Sequence, residues 1–206
     1  MTSSARSSPL ALTVLALLHS GPLHPYGVQR LIRQWGKDQV VNVNQRASLY
    51  RTIDRLLAEG LIAVHGTGRD QAYPERTAYE ITDAGRRTGR NWLEQMLSVP
   101  KQEFPQFPAA LSYLQMISTE EATRFLQRRA DRLEVIREEL RSQLSHRPDG
   151  LSRISYLETE YLLAVVEAED RWVRSVTDDL RTGRLTWPDE QDRPEAGDRG
   201  GSGAGV

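Results

Sequence analysis

The spacing of apolar residues predicts a chain that is mainly helical, with one short interruption by strands. Helical periodicity begins near Pro9 and again near Pro25, and proline suits the first turn of a helix. The period then changes from helical to alternating in segments 61–65 and 76–81, which are separated by a glycine-containing stretch. These two segments predict an antiparallel hairpin with a long tip.

Segment 44–61, between the second helix and the hairpin, predicts a helix with two different faces. One face is apolar because its residues recur at i, i+4, i+7 and i+8; they are Leu49, Ile53, Leu56 and Leu57. The other face is polar and basic, and it consists of Arg46, Ser48, Arg51, Thr52 and Arg55. Asn44 is suited to cap the start of this helix, and Gly60 supplies a left-handed stop. The pattern fits a helix that enters a DNA major groove, and it also fits a surface helix with solvated arginines.

The elements that follow favour the first of these interpretations. A further helix is predicted from Thr82 or Asp83 to about Leu97, so that the order is three helices, a hairpin and a helix, as in a winged helix-turn-helix domain. The hairpin carries Arg69 at its tip and Arg76 near its base, where a basic side chain is placed to contact phosphate or to enter a minor groove. Because the polar helix face and the basic wing agree, the sequence favours DNA binding.

Two long helices are predicted in the second half of the chain. Ser118 and Glu121 form the pattern of a capping box, and the helix that they open runs to about Ser145. The last helix spans about 151–182, and its apolar stripe is formed by Leu151, Ile154, Leu157, Tyr161, Ala164, Val165, Ala168, Trp172, Val176 and Leu180. Each apolar face must pack on the first domain, on the other long helix or on a second copy of the chain. A two-fold dimer buries both faces, so we expect a homodimer.

These elements define the predicted fold class, which is mainly α with a small β-hairpin. We expect a winged helix-turn-helix domain over residues 9–98 and a long-helix dimerisation domain over residues 108–187. Segment 99–107, which contains two prolines, is predicted to link them, and the polar ends 1–8 and 189–206 are expected to be flexible tails.

Composition and charge change this picture only slightly. The 206 residues carry a formal net charge of −1, and the absence of cysteine excludes disulfides, thiolate catalysis and cysteine-bound zinc. Residues 1–97 contain 12 Lys and Arg against 8 Asp and Glu, whereas the remainder contains 15 against 20, so a polyanion is expected to meet the first half. The apolar run 10–18 is too short to span a membrane and lacks a small-x-small cleavage pattern; we interpret it as a buried helix, with a secretory signal as the alternative. A cytoplasmic protein is therefore expected.

Catalytic and metal-binding patterns are weak throughout the chain. The four histidines are scattered, and the paired carboxylates lie on predicted helices beside arginines, where they are typical of solvated faces. Neither a glycine-rich phosphate loop nor a G-x-S-x-G motif occurs. We therefore expect neither an enzyme nor a cofactor or metal site.

The segments L-A-L-T-V-L-A-L-L-H-S-G-P-L-H-P-Y-G-V-Q-R-L-I, S-L-Y-R-T-I-D-R-L-L-A-E-G-L-I and A-Y-E-I-T-D-A-G-R-R resemble the PadR family of transcriptional regulators. In the second half, F-L-Q-R-R-A-D-R-L and E-A-E-D-R-W-V resemble the helical dimerisation domain of its two-helix subfamily. The resemblance covers about Pro9 to Trp187. It implies a homodimeric repressor that binds a pseudo-palindromic operator through the third helix and the wing.

Residue by residue, the resemblance implies phosphate contacts at Tyr50, Arg55 and Arg69. The chain departs from the family pattern at Arg51, where many members have proline, and in the wing segment 66–75, which is long. Together with the polar helix face, these positions give the predicted DNA-binding set. Gln45, Arg46, Ser48 and Arg51 are expected at base edges, and Tyr50, Arg55, Arg69 and Arg76 at or near the backbone.

The resemblance also implies a ligand site, since some members bind flat aromatic molecules between the winged domain and the dimerisation helices. Candidate lining residues are Trp92, Met96, Tyr161 and Trp172, and the alternative is that they belong to the core and the dimer interface. A small aromatic ligand would then release the operator. The alternative function for the whole chain is a dimeric winged-helix module that binds protein and does not read DNA sequence.

Overall fold

The computed structural model describes residues 6–37, 40–41, 46–68, 76–146, 150 and 152–188. The chain divides into two compact units, Met1–Glu103 and Phe104–Val206, and the division falls inside the proline-containing segment 99–107. Across the described residues the fold is helical apart from a two-stranded antiparallel sheet, which confirms the predicted fold class.

Each unit has its own set of elements. The first unit contains α1 (Pro9–His19), α2 (Pro25–Gln34), α3 (Arg46–Ala58), β1 (Ile62–Gly68), β2 (Arg76–Ile81) and α4 (Asp83–Ser98). The second unit contains α5 (Gln106–Leu111), α6 (Thr119–Ser145) and α7 (Leu157–Arg181), with short 3-10 turns at Leu114–Met116 and Arg153–Tyr156.

Helix α1 lies at the centre of the first unit and packs against α3, α4 and β2. Because it has neighbours on several sides, Ala11, Val14 and Leu15 are all fully buried, which explains why its apolar run is nearly continuous. The Ser8 side chain caps its start, since Oγ accepts a hydrogen bond from the Ala11 N–H at 3.2 Å. The interpretation of this run as a buried helix is confirmed.

The predicted hairpin is present as β1 and β2. Ile62 lies opposite Ile81 and Val64 opposite Tyr79, and the register shifts just after Val64, which is the mark of a bulge. Beyond this shift β1 continues to Gly68, three residues past the predicted segment 61–65. Leu23, in the connection between α1 and α2, pairs with Tyr79 through two backbone hydrogen bonds of 3.0 Å. Because the bridge involves only one residue of this connection, no alternating pattern in the sequence could predict it.

A tight corner joins the end of α3 to the start of α4. Gly60 has a φ of +68°, and the Leu61 N–H returns to the Leu56 carbonyl at 2.9 Å, so the predicted glycine stop is confirmed. Thr82 is the N-cap of α4, where its Oγ1 accepts from the Gly85 N–H at 3.0 Å. The same hydroxyl donates to the Gly60 carbonyl at 2.8 Å. One threonine therefore holds both helix ends.

In the second unit, α6 and α7 pack side by side in opposite directions. Arg137 near the middle of α6 pairs with Asp170 at 2.9 Å, while Gln127 near its start accepts from Arg181 at the end of α7 at 2.7 Å. The predicted capping box opens α6, with Ser118 Oγ accepting from the Glu121 N–H at 3.2 Å. The buried apolar residues between the helices are Ala122, Leu126, Ala130, Leu133, Val173 and Leu180.

The side of α7 that is buried in the single chain includes Leu180 and, in part, Val176 from the predicted apolar stripe, but otherwise differs from it. Leu151 lies outside the described residues. Asp170, Val173 and Thr177 face the core of the unit, whereas Tyr161 is 69% and Trp172 46% exposed. The sequence pattern misled because a carboxylate and a hydroxyl occupy the buried side. Two arginines pair with the Asp170 carboxylate, and the Thr177 hydroxyl donates to the backbone of its own helix, so both groups are satisfied without water. Much of the apolar stripe is consequently left uncovered in the single chain.

Candidate nucleic-acid interface

The apolar face of α3 determines which of its side chains reach the surface. Leu49, Ile53 and Leu56 are only 1%, 2% and 0% exposed, because they pack into the core around α1. This anchoring leaves Arg51 exposed and Ser48 partly exposed. The predicted division of α3 into a core face and a polar face therefore holds for these positions.

Two residues of α3 mark the edge of the buried face. Leu57 was predicted on the apolar face but is 36% exposed, because at about 100° per residue it lies about 80° around the helix from Leu49. Tyr50 lies about 100° from Leu49 and is 49% exposed. Its phenol is thus accessible to a partner on this flank of the helix.

A basic hollow of about 360 Å³ lies beside the polar face of α3. We call it the arginine hollow; it is lined by Arg6, Ser7, Ser8, Ser48, Arg51, Thr52 and Arg55. It brings together three predicted DNA-binding residues with the chain segment that precedes α1. Three arginines are among its lining residues, and none of the described residues that line it is acidic.

Hydrogen bonds fix the walls of the arginine hollow. Arg55 Nη1 donates to the Arg6 carbonyl at 2.6 Å, although the two residues are 49 positions apart. Arg51 Nε donates to the Ala47 carbonyl at 3.2 Å, and the Thr52 hydroxyl donates to the Ser48 carbonyl at 2.8 Å, both within α3. The Arg51 and Arg55 side chains are thus oriented by backbone acceptors, with further N–H donors on each guanidinium.

Several predicted residues cannot be placed in this surface. Gln45 and Arg69 lie outside the described residues, and so do the side chains of Arg46 and Arg76. The same is true of Asn44, the predicted cap. Their proposed DNA contacts stay predictions.

Comparison with known proteins identifies a family for part of the first unit. Residues 14–91 match the sequence model of the transcriptional regulator PadR-like family. The first unit carries a PadR-like domain. The resemblance seen in the sequence is thereby confirmed for these residues. They run from within α1 to within α4, so they include α3 and the hairpin. No curated protein sequence matches the chain.

Solved PadR structures share the fold over most of the chain. Bacillus subtilis PadR in complex with operator DNA is 18% identical with a TM-score of 0.68, and the match covers 84% of this chain and 99% of that one. The same protein in complex with p-coumaric acid is 16% identical with a TM-score of 0.64, covering 85% and 99%. A PadR-like regulator from Bacillus cereus is 16% identical with a TM-score of 0.59, covering 84% and 99%. At these identities the likeness concerns the fold.

Sequence reasoning missed one residue of the PadR-like surface. Arg6 was assigned to a frayed tail, yet it borders the arginine hollow and its carbonyl is bound by Arg55. The available signal was local: the serine–proline pair Ser8–Pro9 is typical of a capped helix start, which fixes the residues just before it. No pattern in the sequence pairs Arg6 with a residue 49 positions away.

The four candidate ligand-binding residues occupy different environments. Trp92 is buried in the core of the PadR-like unit, and Met96 on the same helix is exposed. Trp172 on α7 packs edge-to-face on Phe107, with 6.0 Å between ring centroids, and Tyr161 is exposed. An open groove of about 620 Å³ does exist within the second unit, but none of these four residues lines it. The ligand site therefore stays a prediction.

Other chemistry in the described residues is sparse. Within those ranges, no group of three His, Asp or Glu side chains is arranged to hold a metal ion. None of the helices in the described part of the chain combines the length and the apolarity that a membrane crossing requires. On the hairpin, His65 Nδ1 lies 2.9 Å from a Glu80 carboxylate oxygen, which forms an exposed cross-strand pair.

Proposed function

We propose that the protein is a DNA-binding transcriptional regulator that acts in the cytoplasm as a homodimeric repressor. The observation that carries this proposal is the orientation of α3. The apolar residues of α3 are buried in the core, so its polar residues and the arginine hollow lie at the surface of a PadR-like domain. A PadR of the same fold has been crystallised with operator DNA, which supports the proposal.

The proposed contacts divide into base recognition and backbone binding. Gln45, Arg46, Ser48 and Arg51 read base edges in the major groove, where an arginine can donate two hydrogen bonds to one guanine. Tyr50, Arg55, Arg69 and Arg76 bind the phosphates that set the position of the helix on the duplex. The exposure of Tyr50 and the outward position of Arg51 and Arg55 support these roles.

The uncovered side of α7 supports the proposed homodimer. Ile154, Leu157, Tyr161, Val165 and Trp172 are all exposed large apolar residues on or just before this helix. A continuous apolar stripe of this kind is unfavourable in water and is typical of an interface. In a two-fold dimer the two α3 helices would lie about 34–36 Å apart, one turn of DNA, on a pseudo-palindromic operator.

A small aromatic ligand is the proposed signal for release of the operator. The support is indirect: PadR from Bacillus subtilis has been crystallised with p-coumaric acid, a small aromatic carboxylic acid. Trp92, Met96, Tyr161 and Trp172 remain the proposed contacts. A ligand that binds the DNA-free conformation better than the DNA-bound one would shift the population toward release.

Fluorescence anisotropy tests the DNA-binding proposal directly. The purified protein is titrated onto duplex from its own upstream region and onto a scrambled duplex, at two salt concentrations. We expect preferential, salt-sensitive binding by a species of twice the 23.3 kDa chain mass. Arg51→Ala should weaken binding to the specific duplex roughly tenfold, whereas Arg90→Ala, an exposed charge on α4, serves as the matched control.

The opposite result is equally informative. Weak binding that is equal for both duplexes and insensitive to Arg51→Ala would refute sequence-specific recognition by α3 at this site. A winged-helix module that binds protein would behave in this way, because it has no phosphate contacts to lose as salt rises.

A further inference from the structure

We propose that residues 6–8 form a DNA-contacting arm and that Arg6 binds a backbone phosphate beside α3. The inference rests on the proposed function, since it concerns the same interface. It adds a contact that comes from outside the helix and the wing, and it assigns Arg55 a second role as the residue that positions the arm.

The arm is held at both of its ends. At Ser8, the side chain caps α1 and the carbonyl accepts from the Leu12 N–H at 3.0 Å, so this end has the fixed geometry of a helix start. At Arg6, the carbonyl accepts the 2.6 Å hydrogen bond from Arg55 Nη1. A three-residue segment bound at both ends has lost much of its conformational freedom before any DNA arrives.

The positive charges of the arginine hollow favour the binding of an anion. Arg6, Arg51 and Arg55 all line one hollow, and no acidic residue is among the described residues that line it. Like charges that share a site repel one another, and a phosphate relieves this repulsion while it accepts charge-assisted hydrogen bonds. The exposed Ser7 and the partly exposed Ser48 add hydroxyl donors to the same wall, which suits a phosphate oxygen.

The position of the arginine hollow identifies the anion as part of a nucleic-acid backbone. Ser48 and Arg51 belong to the face of α3 that is proposed to read bases, so a duplex engaged by that face brings its phosphates to the adjoining wall. Arg6 would bind there as a phosphate-contacting residue, and Arg55 would act through its hold on the arm as well as by its own charge.

Binding measurements on Arg6→Gln test the proposal. The substitution removes the charge but keeps the backbone carbonyl that Arg55 binds, so the fold should be unchanged. We expect roughly tenfold weaker binding to the specific duplex. The slope of log K against log salt should fall in magnitude by about 0.9 per lost contact, or about 1.8 for a dimer on two half-sites. Arg90→Gln removes the same charge from α4 and should leave both quantities unchanged.

Replacement of single phosphates by uncharged methylphosphonates locates the contact. One replacement in each half-site should weaken the wild-type protein strongly and Arg6→Gln hardly at all, because that protein has already lost the partner. Free inorganic phosphate, added at constant ionic strength, should compete only weakly. Strong competition would instead assign the hollow to a free anion and overturn the proposal.

A double-mutant cycle tests the role of Arg55. If Arg55 positions the arm, Arg6→Gln should cost less in an Arg55→Gln background than in the wild type. If the Arg6→Gln variant bound DNA as tightly as the Arg90→Gln control and with the same salt slope as wild type, the arm would be refuted. The proposed regulator would still stand if wild-type protein bound the specific duplex and Arg51→Ala weakened that binding. A wild-type protein that binds no DNA would overturn both.

Discussion

Replacing Gly85 with alanine probes the tight corner between the end of α3 and the start of α4. A Cβ added at Gly85 would lie 2.0 Å from the Leu61 carbonyl oxygen and 2.9 Å from Ile81 Cγ1, far inside the 3.4 Å at which ordinary contact begins. The carbonyl is backbone and cannot rotate away. Either α4 or Leu61 must therefore move.

The size of the effect follows from what that movement disrupts. The Leu61 carbonyl accepts from the Thr82 N–H at 3.1 Å, and at the same distance it shares the Thr82 hydroxyl proton with the closer Gly60 carbonyl. Overpacking costs about 1–3 kcal/mol, and each lost hydrogen bond costs about 1 kcal/mol more. Alanine favours the helix by up to about 1 kcal/mol, so the net loss for Gly85→Ala should be about 3 kcal/mol. This corresponds to a melting temperature lower by roughly 6–12 °C for a chain of this size.

Gly89 on the same helix provides the matched control. A Cβ there would meet Leu15 side-chain atoms at 3.5 and 3.8 Å, which is ordinary contact. Gly89→Ala should therefore gain the helical preference of about 1 kcal/mol and melt roughly 2–4 °C higher than wild type. Thermal unfolding followed by circular dichroism and calorimetry gives both values. If Gly85→Ala melted at or above the wild-type temperature, the close approach at this corner would be refuted.

Two further predictions concern the second unit. Asp170→Ala should lower the unfolding free energy by about 2–3 kcal/mol, because it leaves Arg137 and Arg174 without their buried acceptor. Urea unfolding measures this loss, and an unchanged midpoint would show that the two ion pairs of Asp170 contribute nothing to stability. A hydrogen bond from its own backbone N–H, and then one from the Ser118 hydroxyl, lower the pKa of Glu120 below its ordinary value of 4.5. The folded state therefore favours the ionised carboxylate of Glu120, which stabilises the fold above pH 4.5. This stabilisation should be lost as the pH falls through the lowered pKa, so the unfolding free energy of Glu120→Gln should fall less than that of wild type over the same pH range.

Local rules predicted most of the winged unit. Pro9 and Pro25 begin helices as their fixed φ requires, Gly60 ends α3 in a left-handed conformation, and Thr82 caps α4. Each of these signals acts within a few residues of its own position, so the sequence pattern contains it. The buried face of α3 was predicted for the same reason, apart from Leu57 at its edge.

The features that were missed depend on partners far along the chain. Leu23 joins the hairpin because Tyr79 offers both a donor and an acceptor, and Arg6 is held because Arg55 reaches its carbonyl. The polar residues on the buried side of α7 were missed for a related reason. A polar residue such as Asp170 is buried only when charges on a neighbouring helix compensate it, and periodicity within one helix carries no information about that neighbour.

The corner at Leu61 also bears on how a regulator of this kind would respond to a signal. Thr82 binds the ends of both helices, and the missing side chain of Gly85 lets α4 approach the Leu61 carbonyl directly. Close-packed contacts of this kind resist deformation, so we expect α3 and α4 to move together. Since α4 is the last helix before the second unit, a ligand or a partner that redirected α4 would also reorient α3.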